Sequence, residues 1–256
     1  TANEAPERVV SMNLCTDQLA MLLAGPGQLA SVTYIATDPR ASAMAEEAKN
    51  YHINRGLAEE IFLLEPDLVI AGAFSTQATV AMLKRLGIPV VVFDPAYSMP
   101  DVRDRIAQMG DVLQRTQAAR DMIDDFDARL RALSEEVTHS PRAVLYYANG
   151  YTSGDKTLAG EILTAAGFEN AAIEAGYGSG GKLPLEVLAL TDPDAVITGR
   201  PYPGASRSEA ILDHPVVQGL RERRESATLT DHDWVCGTPY VLRAIEALST
   251  VRRDIA

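Results

Sequence analysis

Between Asp111 and Ser140 the chain has neither Gly nor Pro, and apolar residues recur at steps of three and four: Met122, Ile123, Phe126, Leu130, Leu133 and Val137. That spacing places them on one stripe of a helix whose other face is filled by Asp and Arg. It predicts a helix over 116–137, started by Thr116 as N-cap and closed by Pro141. At about 1.5 Å per residue it is roughly 33 Å long, the diameter of a small domain.

The flanks alternate between short apolar runs and amphipathic stretches. Before the central helix, strands are predicted at 8–12, 29–33, 68–71 and 90–93, and helices at 16–24, 41–48, 57–64, 76–86 and 101–113; residues 34–55 form a long polar passage holding one of those helices. Beyond Pro141 the pattern restarts. Strands are predicted at 143–147, 195–198 and 227–230, and helices at 157–166, 185–190, 209–212 and 239–252. Alternation of this kind implies parallel sheets covered on both faces, an α/β fold. One segment recurs. Glu59 to Gly72 reads EEIFLLEPDLVIAG and Glu186 to Gly199 reads EVLALTDPDAVITG, with seven of fourteen positions identical at an offset of 127. With the long helix between the copies, the organisation expected is two Rossmann-like parallel-sheet lobes, 1–113 and 141–256, joined by a linking helix at 114–140.

Composition narrows the function. The formal net charge is −12, which argues against nucleic acid or an anionic membrane as partner, since both require a basic patch. No apolar run approaches a membrane span. The opening TANEAPERVV reads as a short polar lead-in to a first strand, the form of an exported chain after removal of a signal peptide but equally that of a trimmed cytosolic one, and so sets no compartment by itself.

In open parallel sheets, ligands bind beyond the carboxyl ends of the strands, where loops and helix N-termini converge. The rule selects Asn13, Cys15, Tyr34, Phe74, Ser75, Asp94 and Tyr97 in the first half. In the second it selects Tyr147, Tyr151, Ser153, Lys156, Arg200, Tyr202, His232, Asp233, Trp234 and Cys236. Aromatic rings with polar tips, together with an arginine, suit a flat, partly polar organic ligand. His52, His139 and His214 show no metal-ligand spacing, and no dedicated metal site is expected.

Cys15 and Cys236 each precede a helix, where a thiol pKa is lowered. Two unlinked, partly buried thiols are the default reading. A disulfide, joint coordination of a soft metal or ligand centre, and a reactive thiol served by His232 stay open; a Cα separation above about 7 Å would exclude the disulfide.

The order and spacing of five segments resemble the class III periplasmic substrate-binding proteins of the cobalamin and iron-siderophore type, the receptors of ABC importers. They are RVVSMNLCTDQLAMLLAG, LLEPDLVIAG with LKRLGIPVVVFD, SMPDVRDRIAQMGDVL, YTSGDKTLAGEILTAAGFEN and DHDWVCGTPYVLRAIEAL. The resemblance covers almost the whole chain. It implies a monomer with two lobes on one long helix, a shallow cleft, small hinge motion, no catalysis or resident cofactor, and delivery of ligand to a permease with a cytoplasmic ATPase. Within the family the likeness is greatest to cobalamin receptors, through a TSGK-like turn (Thr152, Ser153, Gly154, Lys156) and the pair Asp233-Trp234. Two departures stand out: the cysteine pair of those receptors would fall near Ala166 and Ser249, and the acidic residue that docks on the permease is replaced by Gln77.

The expected function is therefore capture of a ferric siderophore or corrinoid. Its ligand residues would be Asn13, Cys15, Tyr34, Phe74, Tyr97, Tyr147, Tyr151, Arg200, Tyr202, Asp233, Trp234 and Cys236. The competing expectations are a haem receptor with a tyrosine as axial ligand, a metal-ion receptor of the same fold, and a thiol enzyme using Cys15 or Cys236 with His232 as base.

Overall fold

The computed structural model describes residues 4–201, 204, 206–229 and 231–255. The chain divides into two compact units. One comprises Thr1–Ala96, Pro100–Phe126 and Val235–Pro239; the other comprises Tyr97–Met99, Asp127–Trp234 and Tyr240–Ala256.

The first unit is organised by β1 (Val9–Ser11) and β4 (Leu68–Gly72), whose residues are all buried. Strands covered on both faces need such unbroken apolar runs, because no side can be left polar. Between them lie α1 (Leu14–Leu23), β2 (Leu29–Thr33), α2 (Ala45–Ala48), β3 (His52–Asn54) and α3 (Ala58–Leu63); α4 (Gln77–Arg85), β5 (Val90–Phe93) and α5 (Met99–Val112) follow. The sheet order is β3-β2-β1-β4-β5 with every pair parallel. The core under α3 and α4 joins Val10, Met12, Ile61, Val69, Ala71, Val80 and Leu83, each aliphatic burial contributing about 1.5–3 kcal/mol. Sequence periodicity did not predict β3. It is a three-residue edge strand with an exposed first residue, too short to show a period, and only its register against Ser31–Thr33 defines it.

Helix α6 runs from Thr116 to Glu135. Of the stripe that the spacing predicts, Phe126 is fully buried, Met122, Ile123, Leu130 and Leu133 are half-buried, and Val137 lies beyond the end of the helix; Ala119, which that stripe did not include, is buried too, so close to Gly110 that any side chain there would collide with it. The border between the units falls inside this helix, after Phe126.

The second unit holds β6 (Arg142–Leu145), β7 (Tyr151–Thr152), α7 (Leu158–Ala165), β8 (Glu169–Asn170), α8 (Ala171–Glu174), β9 (Gly181–Lys182), α9 (Leu185–Thr191), β10 (Ala195–Gly199), α10 (Pro215–Arg223), β11 (Glu225–Leu229) and α11 (Val241–Arg253). The main sheet is parallel in the order β11-β10-β6-β8, and β7 pairs with β9 antiparallel. The helix predicted at 209–212 is a 3-10 turn over Ala210–Asp213. Helix α10 has no counterpart among the predicted elements, since Gly219 interrupts its pattern; Pro215 at its first turn and His214, whose Nδ1 accepts the Val216 N–H at 3.2 Å, start it.

Candidate ligand-binding site

In the first unit the strand order reverses between β1 and β4, so the loops leaving these two strands diverge and open a crevice at their carboxyl ends. Asn13 lies across that point. Its Oδ1 accepts the N–H groups of Cys15 (2.9 Å) and Thr16 (3.2 Å), capping α1. Its amide lies against Gly72 at the end of β4, where a Cβ would come within 2.6 Å of Nδ2. Glycine at that position leaves room for the asparagine. Phe74, in the loop after β4, is 84% exposed, and Tyr34, directly after β2, is 54% exposed with the Arg55 guanidinium 5.7 Å from its ring centroid. These rings project into solvent instead of filling a core.

In the second unit the order reverses between β6 and β10, and the residues at that point are Tyr147 and Arg200. Tyr147 is half-buried; its N–H donates to the Tyr151 carbonyl at 2.8 Å and its carbonyl accepts the Gly150 N–H at 3.0 Å. The ring of Tyr151 is exposed, as is the side chain of Arg200. Tyr97 is also exposed, and although the chain reaches it from β5, it groups with the second unit, where the neighbouring Met99 N–H donates to Glu161 Oε2 at 3.1 Å. After β11, Asp233 is buried and its Oδ1 accepts both Nη2 (2.6 Å) and Nε (3.1 Å) of Arg243, with His232 Nε2 at 3.4 Å. Arg243 in turn stacks over Tyr240, 4.4 Å from its centroid. Asp233 is thus an anchor for this loop, and half-buried Trp234 follows it. Tyr202 lies outside the described residues.

Cys15 and Cys236 form a disulfide with a Cα separation of 5.1 Å, both within the first unit. This corrects the default of two free thiols, and it removes both the thiol nucleophile served by His232 and thiolate coordination, since neither sulfur has a free lone thiol to ionise. The sequence left this pairing only as one open reading because Cys236 belongs by position to the second half and by packing to the first; Gly237 beside it lies tight against Ala96. Among the described residues no three His, Cys, Asp or Glu side chains come together as a metal-binding group.

Beneath Tyr34 lies a layer that the strand-end rule did not select. Ser11, Thr16, Asp17, Gln18, Ser31 and Asn54 are fully or nearly fully buried. Asn54 Nδ2 donates to the Ser11 carbonyl and to Ser31 Oγ, both at 2.9 Å, and Ser11 Oγ meets Thr16 Oγ1 at 2.8 Å. Asp17 Oδ2 accepts from the N–H (3.1 Å) and hydroxyl (2.5 Å) of Thr33, and the Ser11 hydroxyl acts on the same carboxyl. Burial pushes the Asp17 carboxyl up to about 7, against the smaller opposing pull of the Ser11 and Thr33 hydrogen bonds. The signal available was the polar run Thr16-Asp17-Gln18 inside an otherwise apolar ten-residue helix.

Two parallel-sheet units in one chain, each gathering aromatic and polar side chains where its strand order reverses, define an α/β protein built to hold a ligand. The chain belongs to the periplasmic binding protein family, which matches residues 9–222 and is a family of binding proteins, not of enzymes. It is 30% identical over 204 residues to a cobalamin-binding protein of Halobacterium salinarum (strain ATCC 29341 / DSM 671 / R1), covering 78% of this chain and 55% of that one. The chain therefore spans little more than half the length of that relative. It is 26% identical over 220 residues to the vitamin B12-binding protein of Vibrio parahaemolyticus, covering 84% of this chain and 71% of that one. Among solved structures it superposes on the periplasmic heme-binding protein RhuT from Roseiflexus sp. RS-1 with a TM-score of 0.78 at 24% identity, covering 97% and 98% of the two chains. That last likeness is one of fold.

Proposed function

We propose that this protein is the substrate-binding protein of an ABC importer, that it works outside the cytoplasmic membrane, and that it captures a metal chelate, a corrinoid ahead of a ferric siderophore. The observation that carries the reading is the 30% identity, over 204 residues, to a protein named as cobalamin-binding. The chemistry of the strand ends supports it. Tyr34, Phe74, Tyr97 and Tyr151 offer exposed ring surface, and each ring that packs on a ligand contributes on the order of 1 kcal/mol beyond its buried area. Arg200 can pair with a carboxylate, a phosphate or the oxygens of an anionic chelate. A bare divalent cation would find no cluster of hard or imidazole ligands among the described residues.

Binding is simple to read, because Trp234 is the only tryptophan. Titration with cyanocobalamin, with ferric siderophores and with haem should quench its fluorescence and raise the melting temperature for the matching ligand, while free zinc should do neither. Replacing Arg200 with Ala should weaken an anionic ligand by about 1.5–3 kcal/mol, the worth of a charge-assisted hydrogen bond. A panel of chelates that leaves both signals unmoved while zinc shifts them would overturn the reading in favour of a metal-ion receptor; a Soret band formed with haem and lost on changing one tyrosine would replace the corrinoid with haem.

A further inference from the structure

The first unit carries an apolar face that its repeat in the second unit lacks. Leu57, Phe62 and Leu63, from α3 and its N-cap, and Met82 and Leu86, from α4 and its C-cap, are between 45% and 78% exposed and line an open groove of about 660 Å³. At the offset of 127, Ala189 stands where Phe62 does. Matching the buried pair Val80 and Leu83 of α4 to the buried pair Val217 and Leu220 of α10 puts Gly219 and Arg223 where Met82 and Leu86 stand. Only Leu63 has an apolar counterpart, the exposed Leu190. The same helix-strand plan thus folds without the extra apolar side chains, so the fold does not require them. They leave bare on the order of 500 Å² of apolar surface, near the upper end of what a monomer exposes.

We propose that this groove is a two-fold interface between copies of this chain, in which α3 of each copy lies against α4 of the other. The charges on its rim select that partner. Glu59 on α3 and Glu65 just beyond it make one side acidic, and Lys84 and Arg85 make the α4 side basic; all four are exposed, and none forms an ion pair among the described residues. A partner of a single sign would be repelled along one side, whereas a surface acidic on one side and basic on the other is complementary to itself. Helices α3 and α4 each return from the carboxyl end of one strand to the amino end of the next in a parallel sheet, and so run the same way. A dyad along the groove then sets acid opposite base on both sides, while a dyad across it would set α3 against α3 and like charge against like. Phe62 and Leu63 close on Met82 and Leu86 of the second copy as the apolar centre, with the charges around it. About 500 Å² per copy is less than the roughly 800 Å² that each partner gives to a standard interface, so the dimer is a weak one, with dissociation in the micromolar range. Leu63 and Leu86 stand towards the amino ends of β4 and β5, away from the carboxyl ends that carry the candidate ligand residues of this unit. A second copy leaves those residues open, and the inference does not depend on the ligand; it departs from the monomer that the family resemblance implies.

Sedimentation of the full chain with its disulfide intact tests this. Between about 1 and about 200 μM the mass should rise from 27.6 kDa towards twice that value, half complete at tens of micromolar. Leu63→Asp puts a charge at the centre of the interface on a side chain that is exposed in the single chain; it should weaken association at least about 100-fold and leave the melting temperature of the dilute protein unchanged. Arg85→Glu should weaken association on the order of tenfold, and adding Glu59→Arg should restore it, because the swapped charges again face each other across the dyad. A chain that stays at 27.6 kDa throughout overturns the proposal; if that single chain sediments with phosphatidylcholine vesicles unless Leu63 is changed, the face meets a lipid surface instead. A dimer that Leu63→Asp leaves intact is held elsewhere and overturns it as well. A dimer indifferent to Arg85→Glu, or weakened by it and not restored by Glu59→Arg, lacks the pairing of α3 with α4 and overturns it likewise.

Discussion

The Pro66-Asp67 turn of the first unit and the Pro193-Asp194 turn of the second share one bonding scheme, to which the first adds the Glu7 N–H donating to Asp67 Oδ2 at 2.6 Å. In each, the residue before the proline has a left-handed backbone, Glu65 at φ 49° and Asp192 at φ 40°. In each, the aspartate carboxylate accepts the N–H of an arginine at the start of a central strand, Arg8 at 2.9 Å and Arg142 at 2.9 Å, and its own N–H returns to that arginine's carbonyl. The arginine side chain then caps the preceding helix, Arg8 at the Leu64 carbonyl and Arg142 at the Thr191 carbonyl, positions that correspond at the offset of 127. At the carboxyl ends of the strands the likeness stops. The first unit has a buried polar layer around Asp17 and a disulfide, whereas the second buries the large ring of Tyr146 among Val144, Leu183, Leu188 and Val196. One end of each sheet is a structural clamp that both units need. The other end is where the two units have taken on different chemistry.

The largest test of this contrast is removal of the staple. The disulfide closes a loop spanning 221 residues, and chain-entropy reasoning puts its loss at about 5 kcal/mol. Reduction, or Cys15→Ser with Cys236→Ser, should lower amide-exchange protection of β1 and β4 by that amount while β6 and β10 change little. Equal loss in both units would erase the distinction.

Next in size is Asp17. Its folded pKa, about 7, lies above the ordinary 3.8, so the native state binds this proton more tightly than the unfolded chain does. Its contribution is fully present below about pH 4 and is lost as pH rises through 7, on the order of 4 kcal/mol in all. Asp17→Asn should flatten that part of a denaturation profile between those limits. A wild-type profile without the decline would show that the carboxyl is solvated.

The two clamps should then respond alike: Asp67→Ala and Asp194→Ala each remove hydrogen bonds to a charged acceptor and should cost about 2 kcal/mol in denaturant melts. A cost confined to one of them would mean that the repeat is not energetically equivalent. Smallest is Tyr146→Phe, which deletes the hydroxyl donating to the Leu183 carbonyl at 3.3 Å and should cost about 1 kcal/mol. Burial and the charge of Glu186 raise the Tyr146 pKa, so its phenol stays protonated to higher pH than ordinary tyrosine, a point that an alkaline absorbance titration checks.

The α/β class, the central helix, the repeat and the switch-point residues Asn13, Tyr147 and Arg200 were legible because each depends on local spacing. Fully buried strands need unbroken apolar runs, such as Leu68–Gly72; an amphipathic helix needs apolar residues at every third and fourth position, as in α6. The candidate ligand residues follow strand ends, which a linear pattern locates. Beyond the reach of such patterns were β3, which exists only through its pairing with β2, and α10, whose start rests on the cap from His214. The disulfide and the burial of Asp17 depended on residues far apart in the chain: Cys236 is drawn beside Cys15 across 221 positions, and Asp17 is sealed by Ser11 and Thr33 from two different strands. Desolvation and covalent pairing are properties of what surrounds a side chain in space, so only the tertiary structure decides them.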